Sequence, residues 1–331
     1  MEYRILGKTG LKVSSIGIGT WQLSGPLIID GKADGFPDLG ENRAIALIEA
    51  CQDLGINSID SAEIYGDGEG ERRVGKSIKG KRDRWIISTK FGIRRGSNGE
   101  RISNARPETI RPSLENSLTR LQTDYVDIYQ YHSPPDSEFI EEAKEVLETL
   151  KREGKIRFYG ISTNNHRVLE QLVRANAVDV VLFSQSLIRK PSEILSLIEK
   201  HNLGGMVRGA MESGKLSGKY FARQPNFSDL DIRDRTFQGV DTRKYSIYKK
   251  FLPDDVSMDV FALRYLLDFD TTHSIILGGK SIEHYQKALQ VFDLPPLEAK
   301  THQDLSTVRQ KLVKRSLSKK IINKVKNLLR R

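Results

Sequence analysis

Short apolar runs alternate with stretches of helical periodicity along most of this chain of 331 residues. Eight runs rich in Ile, Val and aromatic residues predict strands, at residues 15–20, 57–60, 85–89, 126–131, 157–162, 178–184, 205–207 and 274–277. Eight segments with apolar residues three and four apart predict helices, at residues 41–54, 69–78, 107–121, 138–152, 167–175, 192–200, 259–267 and 282–291. This alternation predicts an α/β protein whose parallel sheet is covered by helices.

Eight strands that alternate with eight helices are the pattern of a (β/α)8 TIM barrel, which is the fold class that we predict. In such a barrel the chemistry lies at the carboxyl ends of the strands, on the C-terminal face. Three long loops, at residues 24–40, 92–106 and 219–253, follow predicted strands at that face. We therefore expect a barrel whose mouth is rimmed by long loops.

The positive charge of the chain is concentrated at its C-terminal end. The net charge is +10, and residues 301–331 hold ten Lys or Arg but one acid, Asp304. Apolar residues recur there at helical spacing, at Leu305, Val308 and Leu312 and again at Val313, Leu317, Ile321, Val325 and Leu328. We therefore predict a nearly neutral barrel domain at 1–300 and a basic amphipathic helical extension at 301–331. The extension either packs on the barrel or binds a membrane surface or an acidic partner.

Several classes of protein are disfavoured by the composition. The single cysteine, Cys51, lies in an amphipathic helix pattern, where a buried packing role is expected, and its isolation fits a reducing compartment. The six histidines have no metal-ligand spacing, so no metal is expected. No apolar run reaches about 18 residues and no apolar signal region opens the chain, so we expect a cytoplasmic protein. The basic tail has no aromatic residue, which disfavours nucleic acid as a partner.

Four titratable residues lie at or just after the ends of predicted strands: Asp60, Tyr65, Lys90 and His132. If these strands are neighbours in one parallel sheet, their side chains converge at its carboxyl edge. The carboxylate would hold the lysine, and the nearby cation would lower the pKa of the tyrosine from about 10. The tyrosine could then protonate an oxygen near neutral pH.

Six motifs, in order along the chain, resemble the aldo-keto reductase family. They lie at residues 3–14, 17–21, 60–66, 160–162, 216–220 and 276–281. The resemblance supports the count of eight strands and implies an oxidoreductase that transfers a hydride from NADP(H), with NAD(H) as the alternative cofactor. It implies Tyr65 as the general acid, Lys90 as the group that tunes it, Asp60 as the partner of the lysine and His132 as the residue that orients the substrate carbonyl.

The resemblance also implies a set of cofactor contacts. Ser162 and Gln185 match positions that bind the nicotinamide carboxamide, whereas Thr163 stands where the family often has asparagine. Arg208 stands where the family often has an aromatic ring, and its planar guanidinium can stack instead. Lys280 and Ser281, next to Gly278, match a site for the adenosine 2′-phosphate, and His284 replaces a frequent glutamine. The remaining expected contacts are Thr20, Trp21 and Asp60 near the nicotinamide, and Ser213, Gly214, Leu216, Ser217 and Lys219 along the pyrophosphate.

The substrate is expected to be a small carbonyl compound or a sugar-like molecule that contacts Trp21, Tyr65, Phe91 and His132. The same residues would serve a sugar or cyclitol dehydrogenase that works in the oxidative direction. A cofactor-binding regulatory subunit and a barrel enzyme of different chemistry are further alternatives. The sequence leaves the substrate, the direction of the reaction and the oligomeric state open.

Overall fold

The computed structural model describes residues 1–223 and 225–328, with side chains of the last helix described through Val313. Eight parallel strands close into a barrel in sequential order, so that the last strand pairs with the first, which confirms the predicted fold class. In chain order they are β1 (Ile16–Gly19), β2 (Ser58–Asp60), β3 (Ile86–Phe91), β4 (Val126–Tyr131), β5 (Ile156–Ser162), β6 (Val180–Ser184), β7 (Gly204–Arg208) and β8 (Ser274–Leu277). Closure pairs Ile275 of β8 with Ile16 of β1.

The α-helices of the described residues surround this barrel and extend it at the C-terminal end. They are α1 (Glu41–Asp53), α2 (Glu69–Ser77), α3 (Pro107–Leu121), α4 (Ile140–Arg152), α5 (His166–Arg174), α6 (Ser192–Lys200), α7 (Ile232–Phe237), α8 (Met258–Leu267), α9 (Ile282–Leu289) and α10 (Ala299–Leu328). Local signals explain several ends. Pro107 occupies the first turn of α3, where no amide hydrogen is needed. The Asn165 side chain caps α5 by accepting a hydrogen bond from the amide of Arg167.

Short elements fill the connections. Three antiparallel hairpins pair Tyr3–Ile5 with Lys12–Ser14, Ile28–Ile29 with Lys32–Ala33 and Ile93–Arg95 with Arg101–Ser103. Single turns of 3-10 helix lie at Gly7–Thr9, Trp21–Leu23, Arg82–Arg84, Ser137–Phe139, Glu212–Gly214 and Gln290–Asp293, and a longer one at Thr242–Phe251. The predicted long loops at 24–40 and 92–106 therefore each contain a hairpin, and the third contains α7.

The two faces of the strands build two apolar layers. Inside the barrel, Ile128, Val180 and Met206 pack with Leu6 and Val13 of the N-terminal hairpin, which closes the amino-terminal end. Outside it, the opposite strand faces pack against the helices in one large cluster that includes Cys51. Cys51 is fully buried, and burial raises the pKa of its thiol to about 12, so the predicted packing role is confirmed.

The long connection after β7 is more ordered than its composition predicts. Asp231 and Asp241 each accept a hydrogen bond from an amide two residues later and so begin α7 and the Thr242–Phe251 helix. The rings of Tyr220, Phe227 and Phe237 meet edge to face at 5.0–5.8 Å between centroids. These local caps and ring contacts hold the connection against the mouth.

The first part of the C-terminal extension belongs to the packed body. Leu305 and Val308 of α10 are buried in the outer cluster. His302 Nε2 lies 2.8 Å from Asp268 Oδ2, and Arg309 donates a hydrogen bond of 2.8 Å to the Tyr265 hydroxyl. The predicted apolar positions from Leu317 onward lie outside the described side chains. Within the described residues, no helix combines the length and apolar character needed to cross a membrane.

We expect Leu305→Ala to lower the free energy of unfolding by about 2–5 kcal/mol, because it empties a fully buried position between α10 and the barrel. Val313→Ala is the matched control, since Val313 is 48% exposed and should change stability by less than about 0.5 kcal/mol. Urea denaturation followed by circular dichroism measures both. Equal effects of the two substitutions would contradict the packing of α10 on the barrel.

Candidate active site

The structure brings the four titratable residues together at the carboxyl ends of neighbouring strands. Asp60 ends β2, Lys90 lies in β3, and His132 directly follows β4. The register places Asp60 opposite Ser88 on β3 and Lys90 opposite Gln130 on β4. Tyr65 reaches the same point from the connection between β2 and α2. The convergence predicted from strand order is therefore present in the fold.

Lys90 is the centre of this group. Its side chain has no exposed surface, and its ammonium lies 2.6 Å from Asp60 Oδ2. It donates two further hydrogen bonds, one of 2.6 Å to the Ser61 carbonyl and one of 3.4 Å to the Tyr65 hydroxyl. An ammonium has three donors, so each one has a partner and the side chain is fixed.

Asp60 is held by its own set of donors. Ser88 Oγ donates to Asp60 Oδ1 at 3.2 Å, and Gln130 Nε2 lies 3.4 Å from the same oxygen. Thr20 binds the same segment, because its hydroxyl lies 3.2 Å from the Asp60 carbonyl and 2.9 Å from Ser61 Oγ. The carboxylate is therefore oriented from β3 and β4, while Thr20 fixes the backbone of the same segment.

The pKa of Tyr65 differs in direction from the prediction. Burial raises it above its ordinary value of 10.0, and the nearby charge of Lys90 lowers it by less. The net lowering predicted from the sequence is therefore wrong, although the effect of the lysine has the predicted sign. Burial also lowers the pKa of Lys90, but Asp60 and Tyr65 outweigh it and raise that pKa above 10.5. At neutral pH the site holds an ammonium beside a protonated phenol.

His132 faces the phenol from β4. Its amide donates to the Phe91 carbonyl at 2.8 Å, and its ring lies nearly perpendicular to that of Tyr65 with 5.8 Å between centroids. Burial, followed by the cations Lys90, Arg208 and Arg101, lowers the pKa of His132 well below 6.5. The imidazole is therefore neutral at neutral pH and carries one N–H.

Aromatic residues form one wall of the mouth. Trp21 stacks on Tyr65 with ring centroids 6.0 Å apart and meets Phe36 edge to face at 5.2 Å. The Trp21 indole N–H donates to the Asp34 carbonyl at 3.1 Å, which fixes the ring. Phe36 lies in a long loop without helical or strand periodicity, so the sequence offered no signal for it.

Phe91 does not line this mouth, so its prediction as a substrate contact is wrong. Side chains alternate along a strand, and since Lys90 points into the barrel, Phe91 points out of it. Phe91 is fully buried there and stacks on Tyr129 with 4.5 Å between ring centroids. It packs the outer layer beneath the helices instead.

Buried polar atoms without protein partners mark the expected nicotinamide site. Both polar atoms of the fully buried Gln185 amide and Nε of Arg208 have no partner among the described residues. An unpaired buried amide is costly unless a ligand completes it, and the donor and acceptor of Gln185 match those of a carboxamide. Ser162 ends the adjacent β5, and the amide of Thr163 donates a hydrogen bond to the Leu182 carbonyl of β6. The residues present therefore fit a nicotinamide.

The turn after β7 is sharply bent and carries the residues expected along the pyrophosphate. Ser213 and Gly214 have positive φ angles of 60° and 96°, which bend the chain sharply. The amides of residues 214–217 donate to backbone carbonyls inside the turn, so a phosphate here would be bound mainly by the Lys219 ammonium. Leu216 anchors the turn in the core, Ser217 closes it by donating to the Gly214 carbonyl, and Lys219 stays exposed beside it.

Lys280 lies at the end of β8, across the mouth. Its ammonium is 4.9 Å from the centroid of the Phe36 ring, and burial and the charge of Arg233 lower its pKa. Its amide donates to His284 Nδ1 at 3.2 Å, which leaves the other imidazole nitrogen free to donate. Gly278 lies so close to the amide of Gln22 that a Cβ would clash, and Ser281 precedes the first turn of α9. In the described part of the chain no cluster of His, Cys, Asp and Glu could hold a metal ion.

Comparison with known proteins shows which proteins this chain resembles. The profile of the Aldo/keto reductase family matches residues 15–310. The chain is 29% identical over 319 residues to the uncharacterized oxidoreductase YqkF of Bacillus subtilis (strain 168), covering 92% of this chain and 98% of that protein. It is 34% identical over 251 residues to the aldo-keto reductase YhdN of the same organism, covering 74% and 73%. The holo form of aldo-keto reductase AKR11C1 from Bacillus halodurans superposes with a TM-score of 0.77 at 29% identity, covering 93% and 96%.

We expect His132 to stay neutral down to well below pH 6.5, because burial and three cations oppose its protonation. In the unfolded chain the same group binds a proton below about pH 6.5. Its contribution to stability is therefore complete above that pH and is lost as the pH falls towards the folded pKa, by at most about 1.4 kcal/mol per pH unit. His132→Asn should remove this part of the pH dependence of the free energy of unfolding, measured by urea denaturation. An unchanged pH dependence would contradict the depressed pKa.

Proposed function

The chain belongs to the aldo-keto reductase family, and from that premise we propose that it reduces an aldehyde or ketone to an alcohol with NADPH. The observation that carries the proposal is the buried Lys90, bonded at once to Asp60 and to the Tyr65 hydroxyl at the mouth of the barrel. Such a group supplies a proton to an oxygen on which negative charge develops. The stacking of Trp21 and Tyr65 leaves an apolar surface beside it.

Tyr65 acts as the general acid in this proposal. Its raised pKa keeps the phenol protonated at neutral pH, so the proton is available to the carbonyl oxygen. The ammonium of Lys90, 3.4 Å from the hydroxyl, favours the phenolate that remains after the proton has left. The field of the lysine therefore acts on the charge that forms during the reaction, where electrostatic stabilisation lowers the barrier. General acid catalysis of this kind contributes about 10²–10⁴ in rate.

His132 orients the substrate oxygen. Its ring stands perpendicular to Tyr65, so one oxygen can accept hydrogen bonds from both groups. Because the pKa of His132 is strongly lowered, the imidazole donates a hydrogen bond without competing with Tyr65 as the proton source. Asp60 keeps Lys90 charged and immobile and does not itself contact the substrate in this proposal.

A bound nicotinamide dinucleotide would supply the hydride. Gln185, Ser162, Thr163 and Arg208 would hold the nicotinamide, with Thr20, Trp21 and Asp60 at its edge. The turn after β7, with Ser213, Gly214, Leu216, Ser217 and Lys219, would receive the pyrophosphate. Lys280, Ser281 and His284 would hold the 2′-phosphate beside Gly278, which favours NADP(H) over NAD(H). The ammonium of Lys280 at that phosphate gives the preference its physical basis.

The direction of the reaction and the substrate are open to the same machinery. Alcohol oxidation, as in a sugar or cyclitol dehydrogenase, uses Tyr65 as the base in reverse. A regulatory subunit that binds the cofactor for its partners would keep the dinucleotide site and show no turnover. Measurements of turnover and of cofactor binding separate these alternatives.

We expect Tyr65→Phe to lower kcat for carbonyl reduction by about 10²–10⁴, because it removes the proton donor and leaves the ring stacked on Trp21. Loss of NADPH absorbance with a panel of aldehydes, ketones and sugars measures it, and NADPH fluorescence measures cofactor binding. Tyr3→Phe is the control, since Tyr3 lies in the N-terminal hairpin and its hydroxyl donates to the carbonyl of Gly55, after α1.

Turnover that survives Tyr65→Phe would refute the role of the phenol. NADPH binding without reduction of any carbonyl would favour alcohol oxidation or a regulatory role, which the same panel run with NADP+ and polyols separates. A protein that binds neither NADPH nor NADH would refute the proposal as a whole.

We expect Lys280→Met to raise the dissociation constant for NADPH by about 10- to 100-fold, which is the effect of losing one charge-assisted hydrogen bond. The dissociation constant for NADH should change little. Fluorescence titration with both cofactors measures the difference. Lys300→Met is the matched control, because it removes one cation from an exposed position in α10. Equal losses for NADPH and NADH would show that Lys280 does not bind the 2′-phosphate.

A further inference from the structure

One side chain outside the four titratable residues ties the Tyr65 loop to the end of β3. Glu63 lies between Asp60 and Tyr65, and its Oε1 accepts a hydrogen bond of 2.8 Å from the amide of Gly92. Its own amide donates to the Lys90 carbonyl at 3.2 Å. We refer to Glu63 with its two backbone partners, Lys90 and Gly92, as the Glu63 clamp.

The clamp acts on the residues that carry the chemistry. Between its two contacts, the Phe91 carbonyl accepts the amide of His132 at 2.8 Å. Lys90, Phe91 and Gly92 are therefore all fixed at the strand end. Glu63 holds the first and the last of them from the Tyr65 loop, and the amide of His132 holds Phe91 from the other side. Gly92 turns the chain out of the strand with a φ of +93°, a conformation that favours glycine. Its amide depends on the Glu63 carboxylate for a partner.

Among the described residues, Glu63 has no cation bonded directly to its carboxylate. The nearby Arg120 donates to the fully buried Glu71 at 2.6 Å, and Thr89 donates to the other oxygen of Glu71 at 2.5 Å. Burial raises the pKa of Glu63 to about 7, and the charge of Glu71 adds to this increase. The hydrogen bonds from the Gly92 amide and Ser113 and the charge of Arg120 oppose it. Glu63 thus changes charge close to neutral pH.

The Glu63 carboxyl exchanges its proton with solvent from outside the barrel, without using the mouth. It lines a cavity of ≈ 360 Å³ on the outside of the barrel, between α3 and the hairpin of Ile93–Arg95. The charged groups that face the cavity from the packed elements are Asp67, Arg94, Arg95, Glu108 and Arg120.

We propose that Glu63 is a positioning residue for the reaction: through Gly92 and Lys90 it sets the separation between the Tyr65 hydroxyl and the Lys90 ammonium. This inference rests on the proposed function. The ionised carboxylate accepts the Gly92 amide in a charge-assisted bond about twice as strong as a neutral one. Protonation weakens that bond, the strand end relaxes, and the 3.4 Å contact of Lys90 with Tyr65 is no longer held.

The proposal predicts the sign of a pH effect. Above about pH 7 Glu63 is ionised and the clamp is intact, whereas below it the carboxyl is protonated and the clamp is weak. The value of kcat should therefore fall as the pH drops through about 7, with little change in KM, since neither cofactor nor substrate touches Glu63. Neither Tyr65 nor His132 accounts for this change, because their pKa values lie above 10 and well below 6.5.

The test compares the full-length protein with Glu63→Leu, Glu63→Gln and the matched control Glu108→Gln, which removes a charge from the same cavity. We expect Glu63→Leu to lower kcat by about 10²-fold, the effect of a small displacement of catalytic groups. Glu63→Gln keeps an oxygen for Gly92, so kcat above neutral pH should stay within about tenfold of the wild type, and the decrease towards acid should disappear. Glu108→Gln should keep the wild-type profile.

Hydrogen exchange of the peptide that contains Gly92 is the second measurement, since it reads the clamp directly. Exchange, corrected for its intrinsic pH dependence, should be faster in Glu63→Leu than in the wild type and unchanged in Glu108→Gln. The proposal is refuted if Glu63→Leu keeps full kcat, or if Glu63→Gln retains the acid decrease. A wild-type protein without any turnover would refute the proposed function, and exchange at Gly92 alone would then decide whether the clamp exists.

Discussion

The ion pair of Lys90 and Asp60 is the interaction on which the rest of the site depends. A lysine with no exposed surface would lose its proton unless a carboxylate compensated for the lost hydration. Asp60 provides that compensation at 2.6 Å, and the Ser61 carbonyl and the Tyr65 hydroxyl take the remaining donors. Because the pair joins neighbouring strands, the closed barrel fixes its geometry, and the position of the phenol follows from it. Removal of either partner would leave a buried charge alone, which typically destabilises a protein by about 3–5 kcal/mol.

The barrel accommodates this charged group because its two ends differ. At the amino-terminal end, Ile128, Val180 and Met206 pack against Leu6 and Val13, so the interior there is apolar and closed. At the carboxyl end the inward positions are Asp60, Lys90 and Gln130, and the Asp60 carboxylate is bonded by Lys90, by Gln130 and by Ser88. The alternation of side chains along each strand then sends their neighbours outward into the helical layer. At the carboxyl end, the same strand register therefore places the catalytic groups inside the barrel and their apolar neighbours in sequence outside it.

Much of this arrangement could be predicted from the sequence, because periodicity and strand order are local properties. The eight strands and their helices lie close to their predicted bounds, and Asp60, Lys90 and His132 follow from their places at strand ends. Three features depend on tertiary context and could not be predicted. The sign of the Tyr65 pKa shift depends on how far burial exceeds the effect of Lys90. The face of β3 on which Phe91 lies would reverse if the strand were shifted by one residue. The order of the loop after β7 depends on contacts among the rings of Tyr220, Phe227 and Phe237, which only the folded chain brings together.

Closure of the barrel by β8 and β1 has a consequence for the synthesis of the protein. The pairing of Ile275 with Ile16 joins residues at nearly opposite ends of the chain. While the ribosome still holds the last strand, the nascent chain already contains Asp60, Tyr65, Lys90 and His132, but the sheet remains open between β7 and β1. Lys90 cannot be fully withdrawn from water until that gap is closed, so the site acquires its electrostatic properties only after β8 has emerged. The late-emerging α10, which packs Leu305 and Val308 on the finished body, then stabilises the closed form.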